Sequence, residues 1–197
     1  HDGVSMRRAG QEPFVVSRDV NAVIVPAGVE VKLRTGTVGT ITQALGGSFT
    51  VYVEGNLFRI AGADGDAIGK EPVPPPELPA GATEDDVNRV VWDQLRTCFD
   101  PEIPINIVDL GLVYDCRITP NDDGTRAVAA KMTLTAPGCG MGEVLVADVR
   151  EKINLIPTVR NADVDLVFDP PWNQSMMSEA ARLQTGMLLL AAIALLM

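Results

Sequence analysis

The proline-dense run Glu71-Pro72-Val73-Pro74-Pro75-Pro76-Glu77-Leu78-Pro79 constrains this chain most. Each proline fixes φ and removes a backbone donor, so neither a helix nor a central strand can run through it. The segment 71–82 reads as an extended, semi-rigid linker, with a polyproline ligand for a partner as the other reading. It divides the chain into two parts whose hydrophobic periodicities differ.

Before the linker the pattern is that of short strands. Val20–Val25, Val29–Leu33, Thr37–Ala44, Phe49–Val53 and Leu57–Ile60 are separated by glycine-bearing breaks at 26–28, 35–36, 46–47 and 54–56. Such spacing predicts a small β barrel or sandwich over 14–70. Residues 1–13 read as a leader, in part an expression-tag remnant, since five residues precede Met6; no cationic, apolar signal peptide follows.

After the linker the pattern alternates between helix and strand. Thr83 before Glu84-Asp85-Asp86 is an N-cap signal, and Val87, Val90, Val91, Leu95 and Cys98 share one helical face. Leu112–Thr119 and Arg126–Thr135 read as strands joined by a turn at Asn121-Asp122-Asp123-Gly124. On the first, Leu112, Tyr114, Cys116 and Ile118 share a face; on the second, Val128, Ala130, Met132 and Leu134 do. Met141, Val144, Leu145, Val149 and Ile153 mark a helix, Val159–Phe168 a third strand, and Gln174–Thr185 a last helix. The fold class is therefore α+β: a small N-terminal β domain, then an αββαβα two-layer domain over 83–186. The wholly apolar tail 187–197 would span about 16 Å as a helix, too short for a bilayer core of about 30 Å. No membrane span is expected, and the tail is expected to pack in a protein contact, within the chain or between chains.

Charge narrows the partners. With 26 acidic against 16 basic residues, the formal net charge is -10, which argues against a nucleic-acid backbone as partner. Three widely spaced cysteines are no disulfide framework and point to a reducing, cytoplasmic compartment.

The remaining question is chemistry. His1 is the only histidine, so the body has no Cys–His or Ser–His pair and no histidine-rich zinc site. Gly69-Lys70 fails the phosphate-loop pattern at Asp64 and Glu71, and the glycines at 138, 140 and 142 fail the dinucleotide pattern at Glu143. Cys98 and Cys116 lie on apolar faces and read as core thiols. Cys139 differs, because Thr135-Ala136-Pro137-Gly138-Cys139-Gly140-Met141-Gly142 is a glycine-rich strand-to-helix turn. A thiol at a helix start meets unpaired N–H groups and the positive end of the dipole, which favour the thiolate. Asp100, Glu102 and Asp109 either approach Cys139 as oxygen ligands or base, or only shape turns.

Several of these segments resemble one family. Asp100-Pro101-Glu102-Ile103-Pro104, Val108-Asp109-Leu110-Gly111-Leu112-Val113, Thr133 through Cys139, and Val164 through Trp172 resemble the PaaD/SufT-like domain family over about 83–186. The segments 25–28, 41–48 and Gly69-Lys70 resemble the front domain of SufT-type members. The resemblance implies an iron–sulfur cluster assembly or maturation factor, not an enzyme, that delivers clusters to client proteins with Cys139 as functional thiol. It implies client or assembly proteins as partners. Here Gly140 stands where the family often has proline. Clusters usually take four thiolates, so one accessible cysteine implies a labile cluster shared with a partner or second protomer, or completed by Asp100 or Glu102. A thiol enzyme with Cys139 as nucleophile, and a metal-free adaptor that only docks partners, remain the alternatives.

Overall fold

The computed structural model describes residues 11–196 apart from 26, 101–102 and 138–141, and gives the backbone alone for Leu45 and 187–192. Cys139 and Glu102 thus lie outside the described residues. The chain divides into two compact units, His1–Pro75 and Pro76–Met197. Together they mix α and β structure, in keeping with the sequence.

The first unit is a six-stranded antiparallel sheet. Its strands are β1 (Glu12–Val15), β2 (Val20–Val25), β3 (Glu30–Leu33), β4 (Val38–Gln43), β5 (Ser48–Val53) and β6 (Asn56–Ala61), ordered β1-β4-β5-β6-β2-β3. Alternation buries Phe49, Val51 and Val53 of β5 against Phe14, Val20, Ile41 and Ile60. The leader reading is corrected at its end. Glu12 and Pro13 are not leader but strand, paired with Ile41 and Thr40, and Glu12 also forms an ion pair with Lys70. Pro13 hides the strand in sequence, yet β1 lies at the sheet edge, where a missing donor is tolerated. A seven-residue 3-10 segment, Gly62–Ile68, buries Ala67 and Ile68 in the same core; the strand pattern gave no sign of it.

In the second unit, α1 (Glu84–Leu95) starts from a complete capping box. Asp86 N–H donates to the Thr83 hydroxyl at 3.2 Å, and Thr83 N–H donates to the Asp86 carboxylate at 2.9 Å. Val87, Val91 and Leu95 are buried; Cys98 is buried too, but just beyond the helix end. Strands β7 (Val113–Pro120) and β8 (Arg126–Met132) form an antiparallel hairpin. Helix α2 (Gly142–Asn154) then crosses over to β9 (Val159–Leu166), which lies parallel to β8, in the order β7-β8-β9. The core joins Val128, Met132, Ala162 and Val164 of the sheet to Leu145, Val149 and Ile153 of α2. The outer face is polar, with Lys131 flanked in register by Asp115 and Asp165.

Two expectations change. A register shift between Val113 and Asp115 places Val113 opposite Met132 and takes Tyr114 off the core face it was assigned. A bulge inserts one residue, and that extra residue, Tyr114, drops out of the ladder's alternation. The last helix, α3, runs Glu179–Leu196 instead of starting at Gln174. Ser178 caps it, its hydroxyl accepting from Ala181 N–H at 3.1 Å, while Gln174–Met176 is a separate 3-10 turn. The apolar tail continues this helix. Ile193, Leu195 and Leu196 are 54%, 89% and 88% exposed, so in-chain burial does not hold for them. Among the described residues no helix is long and apolar enough to cross a membrane.

Candidate functional site

The site builds from the carboxyl end of β8. There Thr133 N–H donates to Leu112 O at 2.9 Å and Val167 N–H to Met132 O at 2.8 Å, ending the ladder. Leu134 turns into the core, Thr135 is half-buried and Pro137 is exposed. The chain re-enters the description at Gly142, the first residue of α2. A Cβ on Gly142 would lie 2.6 Å from Leu134 Cδ1, so the two ends of the turn are packed against each other. Cys139 belongs to the short segment between them. Its flanks are a parallel strand's carboxyl end and a helix N-terminus, the place where α/β layers hold ligands and where free N–H groups favour anions.

Asp100 is brought to this turn. It is 3% exposed, in a loop folded back on itself through Phe99 paired with Asn106 and Ile107 N–H donating to Cys98 O at 2.9 Å. Its Oδ1 accepts from Ile103 N–H at 2.9 Å, a local turn contact. Its Oδ2 accepts from the Thr135 hydroxyl at 3.3 Å. Asp100 therefore shapes its own turn and also accepts a hydrogen bond from Thr135.

Asp109 is engaged elsewhere. Its carboxylate accepts from Asn106 Nδ2 at 2.7 Å, its N–H donates to Asn106 Oδ1 at 2.9 Å, and its carbonyl takes Ser178 N–H at 2.7 Å. This is turn chemistry that anchors the start of α3. Trp172 is a packed corner, with Nε1 donating to Leu110 O at 2.7 Å.

The other two thiols are in core environments. Cys98 is fully buried, its Sγ 3.6 Å from Gln94 O. Cys116 packs against the core, where burial first and the Asp115 charge second push its thiol up to about 11. Among the described residues no three His, Cys, Asp or Glu side chains are grouped to hold a metal.

Two features escaped the sequence. The Thr133 hydroxyl is buried with no partner among the described residues. A shallow groove lined by Gly111, Val113, Tyr114, Pro170 and Met176 opens beside the bulge, with Tyr114 OH donating to Pro170 O at 2.8 Å. Gly111 itself was the readable clue, since a glycine between Leu110 and Leu112 in an apolar run marks a close approach; its φ is positive.

Known proteins are similar to this chain. The family model described as iron–sulfur cluster assembly protein matches residues 88–165. Over 106 residues the chain is 44% identical to an Fe-S protein maturation auxiliary factor of Porphyromonas gingivalis, spanning 54% of this chain and 93% of that one. This chain belongs to the iron–sulfur cluster assembly protein family. A second member, the Fe-S protein maturation auxiliary factor SufT of Staphylococcus aureus, is 40% identical over 44% of this chain and 94% of its own. A crystal structure of a domain of unknown function from Bacillus anthracis is 34% identical, covering 55% of this chain and 98% of that one, with a TM-score of 0.44. In this iron–sulfur cluster assembly protein the family segment lies wholly in the second unit and includes residues Asp100, Thr135 and Cys139 in its sequence.

Proposed function

We propose that this protein is a maturation factor for iron–sulfur proteins, with Cys139 as the thiol that takes up and passes on a cluster. The observation that carries the reading is the contrast among the three cysteines. Cys98 is sealed in the core and burial holds the Cys116 thiol protonated, which leaves the thiol of the strand-to-helix turn. The relatives named as Fe-S protein maturation auxiliary factors support the maturation-factor reading.

The cluster is cargo. Fe–S clusters are usually held by four thiolates, so one thiolate per chain supplies a single ligand and the rest come from a client or assembly protein, a second protomer or a small thiol. Incomplete ligation makes the cluster easy to hand over, as delivery requires. The protein needs no general base for this exchange and acts as a carrier, not as an enzyme.

Anaerobic reconstitution with iron and sulfide tests the proposal. Wild type is expected to hold less than one cluster per chain, to lose it on dilution or chelation, and to shift toward dimer when loaded. Cys139→Ser is expected to hold none. Equal iron and sulfide in both proteins would remove Cys139 from the ligand set. No uptake by wild type, with client binding retained, would make the protein an adaptor.

A further inference from the structure

We infer that α3 pairs antiparallel with α3 of a second copy of this chain, along a seam through Leu183, Gly186 and Ile193. This surface lies apart from the cluster thiol and does not rest on it. The seam follows from how α3 meets its own unit. Ala181 is buried in the core, and Thr185 is half-buried, its hydroxyl donating to Ala181 O at 2.9 Å. At about 100° per residue, Leu183 lies about 200° round the helix from Ala181, and it is 61% exposed. Gly186, position 190 and Ile193 follow at steps of three, four and three, within an arc of about 80°. Ile193 is exposed as well. A stripe at that spacing, turned away from the core, is a helix-packing face.

Gly186 is the second observation. Glycine inside a helix is unfavourable next to alanine. A Cβ at Gly186 would meet nothing within 4 Å among the described residues, so no neighbour in its own unit requires the glycine, and the space above it is open. A glycine there lets a second backbone come close. The face that fits is the same face on another copy. Steps of three, four and three read alike in both directions. Two antiparallel copies therefore set Leu183 against Ile193, and Gly186 against position 190, twice about one two-fold axis. A parallel pair would instead bring Glu179 beside Glu179 and Arg182 beside Arg182, like charges at one end. The seam itself is uncharged, so a charged partner finds nothing there to pair with.

A contact along one helix of 18 residues is smaller than the standard interface of about 1,600 Å², so the pair exchanges with monomer. The experiment is sedimentation equilibrium of the cargo-free, full-length protein over a range of concentrations, with circular dichroism as the control for folding. The variants are Leu183→Lys, Ile193→Glu and the two combined in one chain. Both positions are exposed in the single chain, so the substitutions spare its core. The combined variant decides the direction. Antiparallel pairing sets its new charges of opposite sign against each other, whereas parallel pairing sets like against like.

Wild type is expected to show a monomer–dimer equilibrium. Each single variant is expected to raise the dissociation constant about tenfold or more, since a two-fold contact carries every change twice. The combined variant is expected to return to within about threefold of wild type. A wild type that is monomeric at every concentration, open-ended aggregates in place of a dimer, or a dimer indifferent to both single variants overturns the pairing. A combined variant no tighter than its singles overturns the antiparallel seam. Flotation of wild type with phosphatidylcholine vesicles, lost in Ile193→Glu, would give this face to a lipid surface and overturn the proposal as well.

Discussion

The Thr135 hydroxyl and the Asp100 carboxylate meet at 3.3 Å across 35 residues of sequence. The contact joins the loop after α1 to the segment between β8 and α2. Nothing in either segment alone specifies it.

The thiols should differ sharply in reactivity. With its thiol pushed up to about 11, Cys116 has about one thiolate in a thousand at pH 8. Brief iodoacetamide treatment of the native protein is expected to label Cys139 first and leave Cys98 and Cys116 unmodified until the fold is lost. Equal labelling of all three in folded protein would contradict the assignment.

Thr133 offers an unusual gain. Its hydroxyl is buried without a described partner, so replacing it with an isosteric valine removes an unmet polar group. Thr133→Val is expected to be neutral or to stabilise by about 1 kcal/mol in urea unfolding. A loss of stability would show that the hydroxyl has a partner in the native protein.

Much of this architecture was legible. Thr83 and the Val87/Val91/Leu95 stripe gave α1, and Asn121–Gly124 gave the hairpin, because caps and turns are local chemistry. The bulge at Tyr114 was not legible, since the partner strand decides it. Strand β1 was hidden by Pro13, whose cost depends on an edge position that only the sheet reveals. Cys139 stood out through glycines and the start of a helix pattern, but the Asp100–Thr135 tie is tertiary and has no local signature. The run from Met187 onward was split from its helix because the change from amphipathic to apolar resembled a boundary; no breaker stronger than Gly186 interrupts it.

Gly111 should tolerate no side chain. Its φ is +76°, and an added Cβ would lie 2.2 Å from the Met176 carbonyl oxygen. Left-handed backbone alone costs about 1–2 kcal/mol for a non-glycine residue. Gly111→Ala is expected to lose about 2–4 kcal/mol in total, read from the urea midpoint. A loss below about 1 kcal/mol would contradict the close approach.

The α1 cap should set an acid dependence. Hydrogen bonds from the Thr83 backbone and hydroxyl, in that order, and the Arg89 charge hold the Asp86 carboxyl below its ordinary range. A depressed folded-state value means that the stabilisation is full above about pH 4, the unfolded value, and is lost as pH falls through the lower folded value. Thermal unfolding of wild type and Asp86→Asn should therefore differ at pH 7 and converge as pH falls through the folded-state value. A gap that persists unchanged at low pH would assign the difference to packing.

The end of α3 should drive association. Leu195 and Leu196 are left in water in the single chain, and exposed apolar area forfeits about 25 cal/mol per Å². Removing 187–197 spares Met177 and Ala181, the residues that bind this region to the core. The truncated protein is expected to stay folded and to show a smaller mass by light scattering. The same mass with and without the segment would rule out a contact between chains.

The central claim is that Cys139 carries a cluster to another protein, and handover measures it most directly. Wild type and Cys139→Ser, taken through the same anaerobic loading, are each mixed with apo-aconitase, and the return of aconitase activity is followed. The account predicts recovery with wild type that is blocked by prior alkylation of Cys139, and no recovery above the iron-and-sulfide background with Cys139→Ser. Recovery at the same rate and extent with Cys139→Ser would contradict it.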